Sequence, residues 1–427
     1  MDLRTERLLT SVWLRALFAV LCLAAHLKVA AMMGKDRYSL PFNSAPTTAP
    51  AFANAMTDRD AQHWNRLVVS RWDSGHYIAI ALRGYTACPQ SSLKNQPLLP
   101  YLDTCNLSFY PTYSMLGRWA SLGGTIPIDY ALLGVSLVAS FALFLLWTSR
   151  SITSRIGVGG AYVSLLLFNV FTTGFALVTI QTEPVFLALT LASFVALDRK
   201  WYLVGAVIAG AATAMRVSGG ATGFAYGLAL LVATVREMPR SKVALATRGV
   251  SLILPAWGQL ALFGYFKWRF DDPFIYFHAH AARFNRDGWG ASIFDPDPIL
   301  RAIDMPLHEM LLLLPCMMML FLGHREALRR FDIVGRTFMY ALLITGLGIA
   351  LYGSFPLAFA GMNRYLLHAL PLFFVIASVM KKRLALLALW AGFTMWHYWQ
   401  VDLCFYEGGP GNASLQICHD THWIGHF

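Results

Sequence analysis

The strongest constraint on this chain is a series of apolar runs, each near the length of about 20 helical residues needed to cross a bilayer. About eleven are placed near 12–33, 127–148, 158–179, 182–197, 201–217, 220–236, 248–266, 306–323, 335–355, 364–380 and 383–400. Hydrophobic residues make up 57% of the 427 and charged residues 13%, with a mean hydropathy of +0.51. Soluble domains carry roughly twice that charged share. The expected fold class is an all-α membrane protein with about 11 transmembrane helices, read as one polytopic domain over 1–427. The run at 12–33 has no short core and small-residue cleavage site of the kind that marks a removable leader, so it is expected to stay as the first helix.

The distribution of basic residues sets the expected orientation. With the N-terminus in the cytoplasm, the inner segments hold 18 Lys/Arg, from Arg4 to Arg383, against six Asp/Glu. The outer segments and the spans share the other 16 Lys/Arg and 17 Asp/Glu. The net charge of +11 is thus topological, and a nucleic-acid partner is not expected. Three larger pieces fall on the periplasmic or luminal side: a first loop over 34–126, a second over 267–305, and the C-terminal tail over 401–427. Cys88 and Cys105 lie in the first loop and Cys404 and Cys418 in the tail, so two local disulfides are expected in an oxidising compartment. Cys22 and Cys316 fall inside spans and read as apolar fillers. The sequons at Asn106 and Asn412 would also face outward.

The first loop opens with Pro41, Pro46 and Pro50, as irregular chain does. Written as a helix, Ala61 to Arg83 lines up Trp64, Leu67, Val68, Trp72, Ile78, Ala79 and Leu82. Such a stripe suits a helix lying on a membrane surface. Asp73, His76 and Tyr77 share its flank, three and four residues apart. The aromatic residues of 107–119 repeat at helical spacing and predict a second interfacial helix, the two together roofing an outer cavity.

Charges within or at the ends of spans are costly and therefore informative. Glu183, in Gln181-Thr182-Glu183-Pro184, begins the fourth span, with Thr182 placed to cap it and Pro184 in its first turn. Arg216 ends the fifth span, and Arg364, in Asn363-Arg364-Tyr365, begins the tenth. The orientation puts Asp73, Glu183, Arg216 and Arg364 at one membrane face. Arginines at that depth suit bidentate contacts to a lipid phosphate, and a carboxylate beside them can take a proton from an attacking hydroxyl. Plainer roles stand beside these: Asp73 pairing with Arg71 or Arg66, Glu183 serving its helix dipole, the arginines snorkelling to headgroups, His76 as an interfacial polar group. Cys418-His419, His422 and His426 have metal-like spacing, but Cys418 has a disulfide partner at hand, and the His278/His280 pair is equally slight. No metal site is expected. No Gly-rich phosphate loop or Ser/His/Asp set is legible, which disfavours nucleotide use.

Arg71-Trp72-Asp73-Ser74-Gly75-His76-Tyr77 with Ala81-Leu82-Arg83-Gly84-Tyr85 resembles the first-loop motif of the PIG-V-like mannosyltransferases, the second mannosyltransferase of GPI-anchor assembly and its bacterial relatives. Further matches follow in order. Phe109-Tyr110-Pro111-Thr112-Tyr113 resembles the family's Phe-Phe-Pro-x-Tyr, and Asn169 with Gln181-Thr182-Glu183-Pro184 its Asn…Tyr-Ser-Glu-Ser. Ala212-Thr213-Ala214-Met215-Arg216-Val217-Ser218-Gly219 resembles Ala-Thr-x-x-Arg-Ser-Asn-Gly, and Asn363-Arg364-Tyr365 with Pro371 a late Arg-Tyr…Pro. Pro184, Val217-Ser218 and Gln181 depart from the pattern. The resemblance implies a GT-C glycosyltransferase fold and inverting, metal-independent transfer of a hexose, foremost mannose, without a cofactor. The donor would be a polyprenyl-phosphate sugar and the acceptor a hydroxyl of a lipid or glycolipid. Asp73 takes the base role, and Arg71, His76, Tyr110, Glu183, Arg216, Asn363 and Arg364 are candidates for substrate binding. Two rivals from other classes are a transporter or flippase of lipid-linked sugars and an assembly subunit with a degenerate site. A transporter should show half-molecule repeats and broken helices near the midplane.

The charge bias predicts that a reporter fused after Phe427 is active outside the cytoplasm and one fused after Arg240 inside. Both reporting from the same side would overturn the eleven-span order.

Overall fold

The computed structural model of the protein describes residues 11–35, 73–85, 106–171, 174–238, 241–283, 328–353 and 367–380, with a few positions between 385 and 395. Among the described residues the secondary structure is helical throughout, with no strand. Three stretches are long and apolar enough to cross a membrane: Val12–Val29, Ile128–Trp147 and Lys242–Phe270. Several expected spans are shorter helices, so length and composition alone do not reproduce about eleven crossings. The runs at 306–323 and 364–366, and nearly all of 383–400, lie outside the described residues, as do Arg71, Cys88, Cys105, Asn363, Arg364, Cys404, Cys418 and Asn412.

Helix α1 (Val12–Lys35) covers the expected first span. Ala19, Cys22 and His26 are buried along one side while Trp13, Leu17 and Val20 face outward. That is the pattern of a helix with one protein face and one lipid face. It packs on α4 (Ile128–Trp147), which buries Leu132, Ser136, Ser140, Leu143, Phe144 and Trp147 in one stripe. Between them come α2 (Ser74–Arg83) and α3 (Thr112–Ala120).

At the centre lies α7 (Glu183–Asp198), buried on every side from Glu183 to Leu197 except at Leu189 and Ala192. A helix apolar all round belongs in the middle of a bundle. It packs on α4, on α8 (Tyr202–Thr213), on α9 (Gly219–Glu237) and on α13 (Ile333–Gly353). The α7 C-terminus closes with Trp201 N–H donating to Ala196 O (2.8 Å) and Lys200 N–H to Leu197 O (3.0 Å). This satisfies the last carbonyls with Lys200 in the left-handed region (φ 61°). Lysine costs more there than glycine, but its ammonium lies 2.8 Å from Glu237.

The charged groups that the sequence places on the inner side do meet. Arg155, on α5 (Arg150–Ile156), pairs with Asp198 and lies 3.9 Å from Asp332. Glu237 pairs with Lys200 and Arg248, and Lys200 foremost holds its carboxyl down at about 2. Arg15 donates to Thr148 Oγ1 (3.0 Å). The central helix therefore carries one ion pair at its end, Asp198–Arg155, and another at its start, Glu183–Arg216.

The expected span over 158–179 is broken. Helix α6 (Val158–Asn169) stops after 12 residues, about 18 Å of helix. A 3-10 turn follows at Gly174–Val178, and 179–182 is irregular. α6 is also bent by 106° from α5. A polar side chain marks the break. Asn169 Nδ2 donates to Leu165 O (2.8 Å), and Asn169 Oδ1 accepts from His26 Nε2 of α1 (2.8 Å). Such side-chain bonds compete with a continuing backbone ladder.

After α10 (Lys242–Ile253), Pro255 starts the 3-10 turn Leu254–Ala256 that leads into α11 (Trp257–Phe270). Here α8 and α11 touch backbone to backbone. A Cβ on Gly258 would lie 2.0 Å from Gly210 O, and one on Gly210 2.1 Å from Trp257 Cδ1. Trp257 Nε1 donates to Val207 O across the same contact (2.9 Å). The remaining described helices are α12 (Ile275–Arg283) and α14 (Leu370–Met380), the latter packed on α6.

Gly258→Ala should destabilise the protein in detergent by about 1–3 kcal/mol, because the backbones must separate. Gly264→Ala, on the same helix with nothing within 4 Å of its Cβ, should be neutral or mildly stabilising. Equal melting temperatures for the two variants would remove the close contact from the account.

Candidate functional site

The site is built from four stretches far apart in sequence. In the first, Asp73 precedes α2, and its carbonyl accepts from the backbone N–H of His76 (3.0 Å) and Tyr77 (3.2 Å), which opens the helix. The Asp73 carboxylate does not cap the helix. The next residue, Ser74, is buried and its hydroxyl donates to Ile180 O (2.8 Å). Asp73 is thereby tied to the second stretch, 180–183, three residues before Glu183.

The amphipathic stripe expected for Ala61–Arg83 does not hold in its described part. Tyr77 to Ala81 are all buried, whereas Leu82, expected on the apolar face, is 47% exposed. α2 packs into the bundle against α3 and α4 instead of lying flat on lipid. Five consecutive buried residues need neighbours on all sides, which a membrane surface does not provide. Trp64, Leu67, Val68 and Trp72 lie outside the described residues. In the second expected interfacial helix, α3 buries Tyr113, Ser114 and Gly117 in protein and exposes Met115 and Trp119.

The third stretch, Phe109–Tyr113, forms a wall beside α2. His76 stacks on Phe109 (4.2 Å, 15°), and Tyr77 meets Phe109 and Tyr113 edge to face at 5.6 and 5.3 Å. Tyr113 donates to Leu132 O (2.9 Å) and shares a 2.7 Å hydrogen bond with Ser136. Ser136 reaches Gln181 O (3.3 Å), and Ser140, one turn along α4, donates to Leu177 O (2.7 Å). Carbonyls 177, 180 and 181 of the irregular segment are thus met by Ser140, Ser74 and Ser136. Thr112 Oγ1 donates to Ala214 O (2.6 Å), which brings in the fourth stretch, two residues before Arg216.

Where these stretches converge, Arg216 Nη1 lies 2.6 Å from Glu183 Oε1. Glu183 has no exposed side-chain surface and Arg216 keeps 13%. Thr182 stands in the N-cap position, but its hydroxyl makes no cap; it accepts a long 3.5 Å contact from Arg216 Nη1. Pro184 occupies the first turn of α7, as expected. Phe186 lies under Arg216, with Cζ 6.0 Å from its ring centroid, and His368 meets the same ring edge to face at 4.8 Å.

Asp73, His76, Glu183 and Arg216 therefore occupy one end of the bundle, joined through Ser74, Thr112 and Ser136. Tyr110 takes another place. It is buried, its hydroxyl accepts from Gln259 Nε2 (3.1 Å), and its ring packs on Tyr276 (4.6 Å). Burial pushes its phenol up to about 12 and that of the neighbouring Tyr85 well above the ordinary phenol value, Tyr85 donating to Phe109 O (2.6 Å). Asn106 of the first sequon is 2% exposed and its amide donates to Gly84 O (3.2 Å), which leaves no room for a glycan there. His278 pairs with Asp272 (2.7 Å), and no group of three His, Cys, Asp or Glu among the described residues is placed to hold a metal.

Four contributors escape sequence reasoning: the serines Ser136 and Ser140, His26 and His368. The i, i+4 spacing of two serines inside an apolar run, and a histidine inside the first span, were the available signals. Comparison of the chain with protein-family models, curated proteins and solved structures returns no match.

Ser140→Ala should cost about 1–3 kcal/mol, because it leaves the buried Leu177 carbonyl unmet. Thermal unfolding in detergent reads this directly. A loss no larger than that of Ser251→Ala, whose hydroxyl bonds within its own helix, would make the irregular segment independent of α4.

Proposed function

We propose that the chain is a multi-pass GT-C type glycosyltransferase of the PIG-V-like kind, moving a hexose, foremost mannose, from a polyprenyl-phosphate donor to a hydroxyl of a lipid or glycolipid. The site would open to the periplasmic or luminal face, with the N-terminus in the cytoplasm. The observation that carries this reading is the convergence of Asp73 with the Glu183–Arg216 pair, from stretches over a hundred residues apart, beside irregular backbone at the start of the central helix. Irregular backbone at membrane depth persists where it is buried in protein or lines a cavity.

Asp73 would act as the base. As the acceptor oxygen attacks the anomeric carbon, its proton passes to the Asp73 carboxylate and the lipid phosphate departs with the bonding pair. One in-line displacement inverts the carbon and requires no second acid, because the leaving group is already a stable anion. Glu183 is a poor alternative base, being buried and paired to Arg216.

The broken third span favours one rival, a transporter of lipid-linked sugars, whose sites use discontinuous helices. Against it, the charged residues gather at the ends of α7 rather than along its middle.

Asp73→Asn keeps shape but not proton affinity, so it should lower transfer from a mannosyl phosphoryl polyprenol by roughly 10²–10⁴-fold while donor binding persists. His76→Ala should cost less. More than about a tenth of wild-type turnover in Asp73→Asn would exclude that range and the base assignment with it.

A further inference from the structure

We infer that Glu183, acting through Arg216, makes the site prefer a singly charged phosphodiester over a doubly charged phosphomonoester. From the proposed function this takes only the class of ligand, a lipid-linked phosphate.

Glu183 is a positioning residue and not itself a ligand contact, because it has no exposed surface. A ligand meets Arg216, whose side chain keeps some exposure. Three residues at the start of α7 fix that guanidinium: Glu183 at 2.6 Å, Thr182 at 3.5 Å from the same Nη1, and Phe186 beneath the plane. The helix behind them is buried along nearly its whole length, so the group is aimed by a rigid element.

The pair is neutral as a unit. Arg216 still presents oriented N–H donors, which suit phosphate oxygens. The carboxylate behind it cancels much of the guanidinium's attraction for each ligand charge, so little is left to offset the greater cost of taking a second negative charge out of water. A diester carries one charge. A monoester carries close to two above its second ionisation near pH 6. In a transfer reaction the donor is the diester and the departing lipid phosphate the monoester, so the same carboxylate that aims the arginine would speed product release.

Among the described residues, the charged and titratable groups brought next to Glu183 include Arg216, Tyr113 of α3, His368 across Phe186, and Asp73 through the Ser74–Ile180 bond. Of these His368 is the one whose ordinary range falls between pH 5 and 7.5, so the measurement is repeated in His368→Gln.

The experiment measures binding of a polyprenyl phosphate and of its methyl diester to the detergent-solubilised full-length protein at pH 7.5 and pH 5. Wild type should bind the diester about tenfold more tightly at pH 7.5, and within about twofold at pH 5, where the monoester loses its second charge. Glu183→Gln should bring the pH 7.5 ratio within about twofold. Glu183→Asp, which keeps the charge, should retain the preference, and Arg216→Ala should weaken both ligands. An unchanged ratio in Glu183→Gln, with the melting temperature showing it folded, overturns the inference. So does a wild type that binds neither ester. Binding with the expected ratios but no hexose transfer would support the inference and sink the transferase reading alone.

Discussion

A buried carboxylate and a largely buried guanidinium are each expensive to remove from water, and at Glu183 and Arg216 the expense is met by placing them 2.6 Å apart. Much of the bundle follows from that pair. Glu183 must begin the central helix and Arg216 must leave α8 beside it, so the start of α7 and the turn between α8 and α9 cannot move independently. Removing either partner alone would strand the other charge, typically at about 3–5 kcal/mol for a buried pair. At the opposite end of α7, Asp198 with Arg155 repeats the arrangement near charged neighbours.

Between the end of α6 and the start of α7 the described chain has only the 3-10 turn Gly174–Val178 and then irregular backbone. Three carbonyls of this segment are met by hydroxyls of Ser74, Ser136 and Ser140. Serine is small enough to sit in an apolar helix interface and still supplies a donor. Two of these serines come from α4, the most apolar of the three stretches long enough to cross a membrane, and the third adjoins Asp73. The element that holds the backbone irregular and the element that carries the candidate base are thus fastened to the same few residues. Stability and the proposed chemistry share their contacts.

Much of this grouping was legible in the sequence. Charge bias alone put Asp73, Glu183, Arg216 and Arg364 at one end and Arg155, Asp198, Lys200, Glu237 and Arg248 at the other; Arg364 lies outside the described residues, and the ion pairs that form are Glu183–Arg216, Asp198–Arg155 and Glu237 with Lys200 and Arg248. The surface stripe on the helix with Asp73 misled because periodicity reports that a helix has two kinds of face, not what covers each. At Tyr77–Ala81 protein covers all sides, and Leu82 turns outward. The continuous span over 158–179 misled for a related reason: apolar length says that a segment avoids water, whereas Asn169 and its partner His26 decide that the helix stops.

By itself, then, the sequence determined the helical class, the apolar runs and the segregation of charge, because these depend on each residue's own solvation and on local spacing. Only the tertiary structure decided which hydroxyl meets which carbonyl, that Arg216 is held by Glu183, and that Tyr110 turns to Gln259 while His368 joins Phe186. Those choices are made between residues from about thirty to almost two hundred positions apart, where no local rule reaches and only the requirement that every buried polar group find a partner selects one arrangement.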